Sequence, residues 1–378
     1  MRIKYLVHYD LENPVFKRRS CAPSAVTKAS YIVSALNDLG YGVDIISPAL
    51  PENGEKDRGG IYKFGENTVK YFSSPNRKNL FGKVIAKLTK KLGLLFYLVK
   101  NLRRGEPLVV YHSLYYTGLI AILKKLKKTE FILEVEEIYG DVLEDDKVVA
   151  KEQAVFAIAD KFIPITALLG EKINPNHKPS VISHGTYKCA EKYEKLWTDD
   201  KIHVVYAGTF DPRKGGAFAA IGAAEHLSDT YRLHILGFGS ESEIEAIKNE
   251  VERVNAFGGC VASYDGLLSG EAYLQFLQSC HIGLSTQNPN AKFNATSFPS
   301  KILSYMSNGL RVVSIRIPAI TSSDVGDLVY YYDEQSAEEI AAAIASVNMR
   351  DEYDSMKVIA ELDEKFKREM KTLINKEN

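Results

Sequence analysis

The chain has 378 residues, more than one ordinary core accommodates, so two domains are expected. Its 45% hydrophobic and 25% charged content is that of a soluble globular protein. The net charge is zero but unevenly shared. Residues 1–190 hold 29 Lys/Arg against 20 Asp/Glu, a net of +9, and the remainder holds 19 against 28, a net of −9. That split aims the first half at something anionic, such as a phosphate or a membrane surface. Nucleic acid is not the expected partner, because no basic helix carries interleaved aromatics. Cys21, Cys189, Cys260 and Cys280 form no CxxC pair, which speaks against a disulfide scaffold or a structural zinc site and fits a reducing compartment. The apolar run at the N-terminus is too short for a signal peptide, and the longest uncharged apolar run, 93–99, is far from spanning a bilayer. A cytoplasmic location follows as an expectation.

In chain order, strands are predicted at 3–8 and 43–47 around a helix at 24–39. Further strands follow at 108–112, 130–135, 161–165 and 180–183, with helices at 117–127 and 151–159. After a polar stretch at 187–201 the same alternation resumes. Strands at 202–207, 232–236, 261–264, 282–285 and 311–314 are interleaved with helices at 215–227, 241–255, 269–279 and 300–308. Two terminal helices are expected at 338–347 and 351–374. Strand and helix in alternation imply parallel sheets with crossovers, so the fold class is α/β. The expected domains are 1–186 and 202–348, joined by a linker at 187–201 and followed by a C-terminal segment, 349–378.

Three strand-to-helix turns of the second half stand out. AGTFDPRKGG (207–216) offers bare backbone at Gly208, then Thr209, and the cations Arg213 and Lys214 ahead of a helix start, where a diphosphate could be held. It could equally be a glycine-rich turn with solvated bases. LGFGSE (236–241) has Gly237 and Gly239, with Ser240 as the expected N-cap. Tyr264 and Asp265 leave the next strand at the same sheet edge, where ligands of open parallel sheets gather. The most informative stretch is SFPSKILSYMSNGLRVVS (297–314). Pro299 suits a first helical turn and Gly309 a C-terminal cap, placing Ser300 and Lys301 at a helix start.

This stretch resembles the donor-binding signature of GT-B glycosyltransferases, specifically the large family four that includes many bacterial polysaccharide-assembly enzymes. AGTFDPRKGG, LHILGFGSE and YDGLLSGEAYLQFLQSCHIGLS follow in the order and spacing of that family, and the resemblance covers most of 202–345. It implies two Rossmann-like domains facing across a cleft, with a C-terminal helix crossing back to the first. It further implies transfer of a hexose-type sugar from a nucleotide diphosphate sugar, commonly a UDP-sugar, to a glycan or lipid-linked acceptor. Metal and other cofactors are not expected, and the chain has no DxD triplet. By the same resemblance Lys214 holds the donor diphosphate, and residues 237–241 and 264–267 wall the base pocket. Phe298, Pro299, Ser300 and Lys301 lie against sugar and phosphates, and Tyr305 falls beside the ribose. Thr296 and Ser304 stand where the family places two glutamates, and Thr209 where it often has arginine.

In the first half, His112 follows a strand and could bond a sugar hydroxyl or be a satisfied strand-end histidine; Tyr115 lies just beyond it. Among Glu134, Glu136, Glu137 and Asp141, one carboxylate could act as an acceptor-side base, Glu134 being the candidate, with Glu137 on the acceptor. The basic run at 17–19 supplies Arg18 and Arg19 to an anionic acceptor, or is simply solvated. Residues 77–104 carry nine Lys/Arg and no Asp/Glu among apolar residues at helical spacing. That is the pattern of an interfacial helix, or of a surface helix with a basic outer face. A nucleotide-sugar epimerase and an inactive nucleotide-sugar-binding relative are the competing readings.

Overall fold

A computed structural model of the chain describes residues 2–11, 18–143, 145–211, 215–288 and 292–375. The chain divides into two compact units, residues 1–183 with 365–378, and residues 184–364.

The first unit runs β1 (Arg2–Leu6), α1 (Pro23–Asp38), β2 (Gly42–Ser47), β3 (Gly60–Phe64), β4 (Asn67–Tyr71), α2 (Leu80–Asn101), β5 (Pro107–Tyr111) and α3 (Thr117–Lys127). It continues with β6 (Glu130–Val135), α4 (Tyr139–Leu143), α5 (Asp146–Ile158), β7 (Lys161–Pro164) and α6 (Ala167–Ile173). Its sheet has the order β3-β4-β2-β1-β5-β6-β7, parallel except for the β3–β4 hairpin. Tyr5, Leu6, Leu108, Val109, Val110, Ile132 and Leu133 are buried, as apolar runs must be when helices cover both faces of a parallel sheet. The expected strand at 180–183 is a single parallel bridge, Ser180 to Phe162. Helix α5 starts earlier than the 151–159 pattern suggests, because Asp145 caps it by accepting from the Lys147 amide.

The second unit contains β8 (Ile202–Thr209), α7 (Gly216–Gly222), β9 (Tyr231–Phe238), α8 (Glu241–Asn255), β10 (Val261–Gly266), α9 (Gly270–Ser279) and β11 (Ile282–Ser285). Then come α10 (Lys301–Met306), β12 (Arg311–Ile315), α11 (Pro318–Thr321), β13 (Val329–Tyr332) and α12 (Ala337–Ala345). Its sheet is parallel throughout, in the order β10-β9-β8-β11-β12-β13. Residues 187–201, expected as a linker, are packed on this unit. Trp197 stacks on His203 and His234 at 4.3 and 4.7 Å, and the Tyr193 and Leu196 amides donate to Gln278 and Ser279 side chains. A lone tryptophan in an otherwise polar stretch supplies the apolar area that ties it down.

The last helix, α13 (Ser355–Ile374), is shared between the units. Ser355 donates to the Met306 carbonyl in the second unit, whereas the residues from Lys365 onward belong to the first. There the Phe366 ring lies 5.5 Å from Tyr31, Lys367 pairs with Asp38 at 2.8 Å, and Met370, Leu373 and Ile374 are buried. Among the described residues no helix is long and apolar enough to cross a membrane.

Candidate functional site

At the carboxyl ends of β8 and β9 two backbones lie against each other. Gly237 has φ +150°, and a Cβ there would overlap the Gly208 carbonyl oxygen. A side chain at Gly216 would likewise overlap the Thr286 carbonyl, while Thr286 Oγ1 donates to the Gly216 carbonyl at 2.7 Å. Glycine is required at these positions by contact, so the sheet edge presents backbone rather than side chains. Gly237→Ala is therefore expected to cost about 3 kcal/mol or more. Thermal melts of the variant check this; a midpoint within 1–2 °C of the parent's would mean the strands can separate freely.

Lys301, the first residue of α10, reaches this edge. Its Nζ lies 4.0 Å above the Tyr206 ring and 3.1 Å from where a Gly208 Cβ would stand. The cation is thus held by an aromatic face at the mouth of the sheet, an attraction of about 0.5–2 kcal/mol. The Tyr206 hydroxyl is fixed in turn by donating to the Thr209 carbonyl at 3.3 Å. Ser300 is exposed and precedes the helix without a side-chain cap; Pro299 is half-buried, and the buried Phe298 ring lies 4.9 Å from His184. Arg213 and Lys214 lie outside the described residues.

Ser240 caps α8 in a capping box with Glu243, so its hydroxyl is spent on the Glu243 amide. The half-buried Tyr264 packs edge-on to Phe210 at 5.7 Å and bonds the Gly237 carbonyl at 3.4 Å, bracing the glycine turn. Asp265, half-buried, accepts from Ser263 at 2.7 Å and lies 3.2 Å from His234 Nδ1. Tyr305 is a correction. It is fully buried, its hydroxyl accepting from the Ala207 amide at 2.8 Å and donating to the Leu284 carbonyl at 3.3 Å. On a one-sided helix its position faces the sheet, so it supports β8 from beneath and cannot touch a ribose.

Sequence reasoning passed over Tyr206, Phe238 and Leu267 as individual side chains. Phe238 and Leu267 are each more than half exposed, the one closing β9 and the other in the turn after β10. Large apolar side chains left in water beside bare glycines are the usual makings of a stacking surface. Their signal was an apolar residue inside a glycine-rich turn, where polar ones are the rule.

The first-unit candidates fare differently. His112 is buried at the end of β5 and bonds Glu152 Oε1 at 2.7 Å. Glu152 also accepts from the Tyr139 and Gly140 amides. Through Nε2 this strand-end histidine ties β5 to α5 and the start of α4, while its Nδ1 is buried without a hydrogen-bond partner among the described residues. Glu134 is fully buried within β6 and accepts from the Tyr5 hydroxyl, so it meets no acceptor. Burial, and then the neighbouring Glu136, push its carboxyl up to about 7. Glu136 lies at 3.5 Å from Lys28 Nζ, and Glu137 is half-buried. Arg18 is exposed and 3.4 Å from Asp10, whereas Arg19 is buried against Tyr71 and Asp57. Tyr115 is half-buried beneath Lys90 and Lys91.

No protein-family profile matches the chain, and no curated protein matches it in sequence. Solved structures do. The apo structure of OtsA superposes with a TM-score of 0.70 at 11% identity over 100% of both chains. A structure described as E. coli trehalose-6-phosphate bound with UDP-2-fluoro glucose gives 0.68 at 11% identity, over 99% and 98% of the chains. Anabaena HepE in complex with UDP gives 0.63 at 10% identity, over 99% and 97%. The chain has the GT-B fold. GT-B proteins as remote as these share architecture and element order, not residues. Within this GT-B chain the exposed carboxyl edge of the second sheet is the candidate site on its own geometry. No group of three or more His, Cys, Asp or Glu able to hold a metal occurs among the described residues.

Proposed function

We propose that the chain is a glycosyltransferase of the family-four type that moves a hexose from a nucleotide diphosphate sugar, a UDP-sugar by preference, to a glycan or lipid-linked acceptor. The observation that carries the reading is Lys301 Nζ poised over Tyr206 beside the bare Gly208 backbone. The costly event in sugar transfer is departure of the nucleoside diphosphate as negative charge develops. A cation already oriented there, with amides that a Cβ would block, stabilises that charge without rearranging. Lys214 and Arg213 complete the cationic set in this reading, with Thr209, Ser300 and Pro299 at the phosphates and sugar. Phe238, Tyr264 and Leu267 form the base wall. GT-B structures of matching architecture solved with UDP-2-fluoro glucose and with UDP agree with that ligand class. The test is a thermal-shift screen of nucleotide sugars followed by assay with and without acceptor. Release of UDP only when an acceptor is present supports transfer. An altered sugar without acceptor means epimerase, and binding without turnover on any acceptor means a binding protein.

We also place the protein in the cytoplasm, at the inner face of a membrane. On α2, Leu88, Leu92 and Phe96 are 59%, 66% and 70% exposed and four residues apart, hence on one stripe. Ile122 and Leu126 of α3, which packs on α2, are exposed too, and Lys91, Lys100, Lys125 and Lys127 are near these residues along the two helices. An apolar stripe with lysines nearby suits an anionic lipid surface. Phe96→Asp is expected to weaken binding to phosphatidylglycerol vesicles about 10-fold or more, since burying one such ring contributes about 1.5–3 kcal/mol. Equal co-sedimentation of both proteins would remove the membrane from the reading.

A further inference from the structure

The first unit holds a knot of cations with some buried donors left unpartnered among the described residues. Arg19, 3% exposed, stacks on the Tyr71 ring at 4.1 Å and places Nη2 2.6 Å from Asp57, but its Nε and Nη1 are buried without a hydrogen-bond partner. The Arg19 backbone is bridged to Pro51, and the Pro51 carbonyl accepts from the Arg77 guanidinium, so the two arginines meet on one short loop. Arg77 Nε is also buried and unpartnered. From α2, Lys90 is 9% exposed and rests 4.4 Å above the Tyr115 ring, with no carboxylate paired to it among the described residues. Exposed Lys91 reaches the same ring at 5.2 Å, and the Tyr115 hydroxyl is buried with no partner. Burial, then Arg77, then Lys91 hold the Lys90 ammonium down to about 8. Of the carboxylates nearby, Asp57 faces Arg19 and Asp10 faces Arg18.

Buried donors without acceptors are costly, and cations close enough to act on one another, as Arg77 acts on Lys90, raise that cost by repulsion. Such an arrangement is stable in proportion to what an anion would return on arrival. A carboxylate would satisfy one fork. A phosphate, with more oxygens and more charge, matches two guanidinium edges, an ammonium and a phenol together. We propose that Arg19, Arg77, Lys90 and Tyr115 form a phosphate-binding site, and that the phosphate belongs to the sugar acceptor. The word acceptor rests on the transfer reading above; the site itself does not.

The test uses the full chain with inorganic phosphate, with glycerol phosphate as a soluble phosphomonoester, and with phosphatidylcholine vesicles containing phosphatidic acid. Titration calorimetry and vesicle co-sedimentation read occupancy, and the parent is compared with Arg77→Gln and Lys90→Met. Circular dichroism and the unliganded melting midpoint confirm that each variant folds, and the half-buried Arg77 is the milder change. A loss of at least 10-fold in phosphate or phosphomonoester affinity in both folded variants is the expected result, and assigns a soluble anionic acceptor. The same loss confined to the vesicles assigns a phospholipid. Parent and variants binding every probe alike, or none binding, overturns the site. Occupancy is read without turnover, so a chain that binds phosphate here yet transfers no sugar retires the transfer reading alone.

Discussion

Lys301→Ala is expected to lower the turnover of sugar transfer by about 10²–10³-fold, the cost of removing one preorganised charge partner from a developing anion. The fold should survive. Lys301 opens the six-residue α10, whose buried contacts come from Ile302, Leu303, Tyr305 and Met306. What disappears is the ammonium above Tyr206 and beside Gly208. Lys301→Arg keeps the charge but spreads it over a planar fork, so partial recovery is expected. Steady-state rates with saturating donor, alongside donor affinity by calorimetry, separate the outcomes. Alanine and parent turning over alike would refute a role for Lys301 at the leaving group, whatever the overall activity.

Glu134→Gln should stabilise the protein at alkaline pH and leave it unchanged in acid. Glu134 is fully buried and its folded carboxyl titrates at about 7 against an ordinary 4.5, chiefly because burial penalises the charge. With the folded value raised, the native state binds the proton more tightly than the unfolded chain does. Its contribution to stability is complete below about pH 4.5 and is lost as pH rises through 7. The loss approaches about 3 kcal/mol by pH 8, taking the shift at 1.36 kcal/mol per unit. Glutamine keeps an oxygen for the Tyr5 hydroxyl and never ionises. The difference in urea stability between variant and parent should therefore be near zero at pH 4 and grow to that size at pH 8. A pH-independent difference would show that the carboxyl is not what titrates.

Much of the architecture was legible because parallel strands buried on both faces write themselves as short apolar runs between helical periods. The turn glycines were legible too, since residues that must lack a Cβ show as glycine whatever ligand is nearby. The β3–β4 hairpin was not, because one face is wet and its Tyr-Lys-Phe and Thr-Val-Lys alternation has few apolar residues. Side-chain roles in the first unit misled for the reverse reason. A glutamate and a histidine near strand ends pass for ligand-facing groups in a linear reading, yet α5 brings Glu152 over His112, and Tyr5 of β1 reaches across β5 to Glu134 on β6. Tyr305 illustrates the same limit: helical position alone does not say which neighbour the face meets. Arg19 is the most instructive case. In a basic triplet it passes for a solvated charge, and only the bridge to Pro51 and the stacking on Tyr71 reveal that it is sequestered.

Because α13 contributes Phe366, Met370, Leu373 and Ile374 to the unit built mainly from residues 1–183, that core is completed only after the other unit has been made. On the ribosome it must wait, with Tyr31 and its apolar neighbours uncovered, until residues 184–364 have emerged. A nick or premature stop ahead of Lys365 would thus injure the unit built from residues 1–183, although the break lies in the other unit.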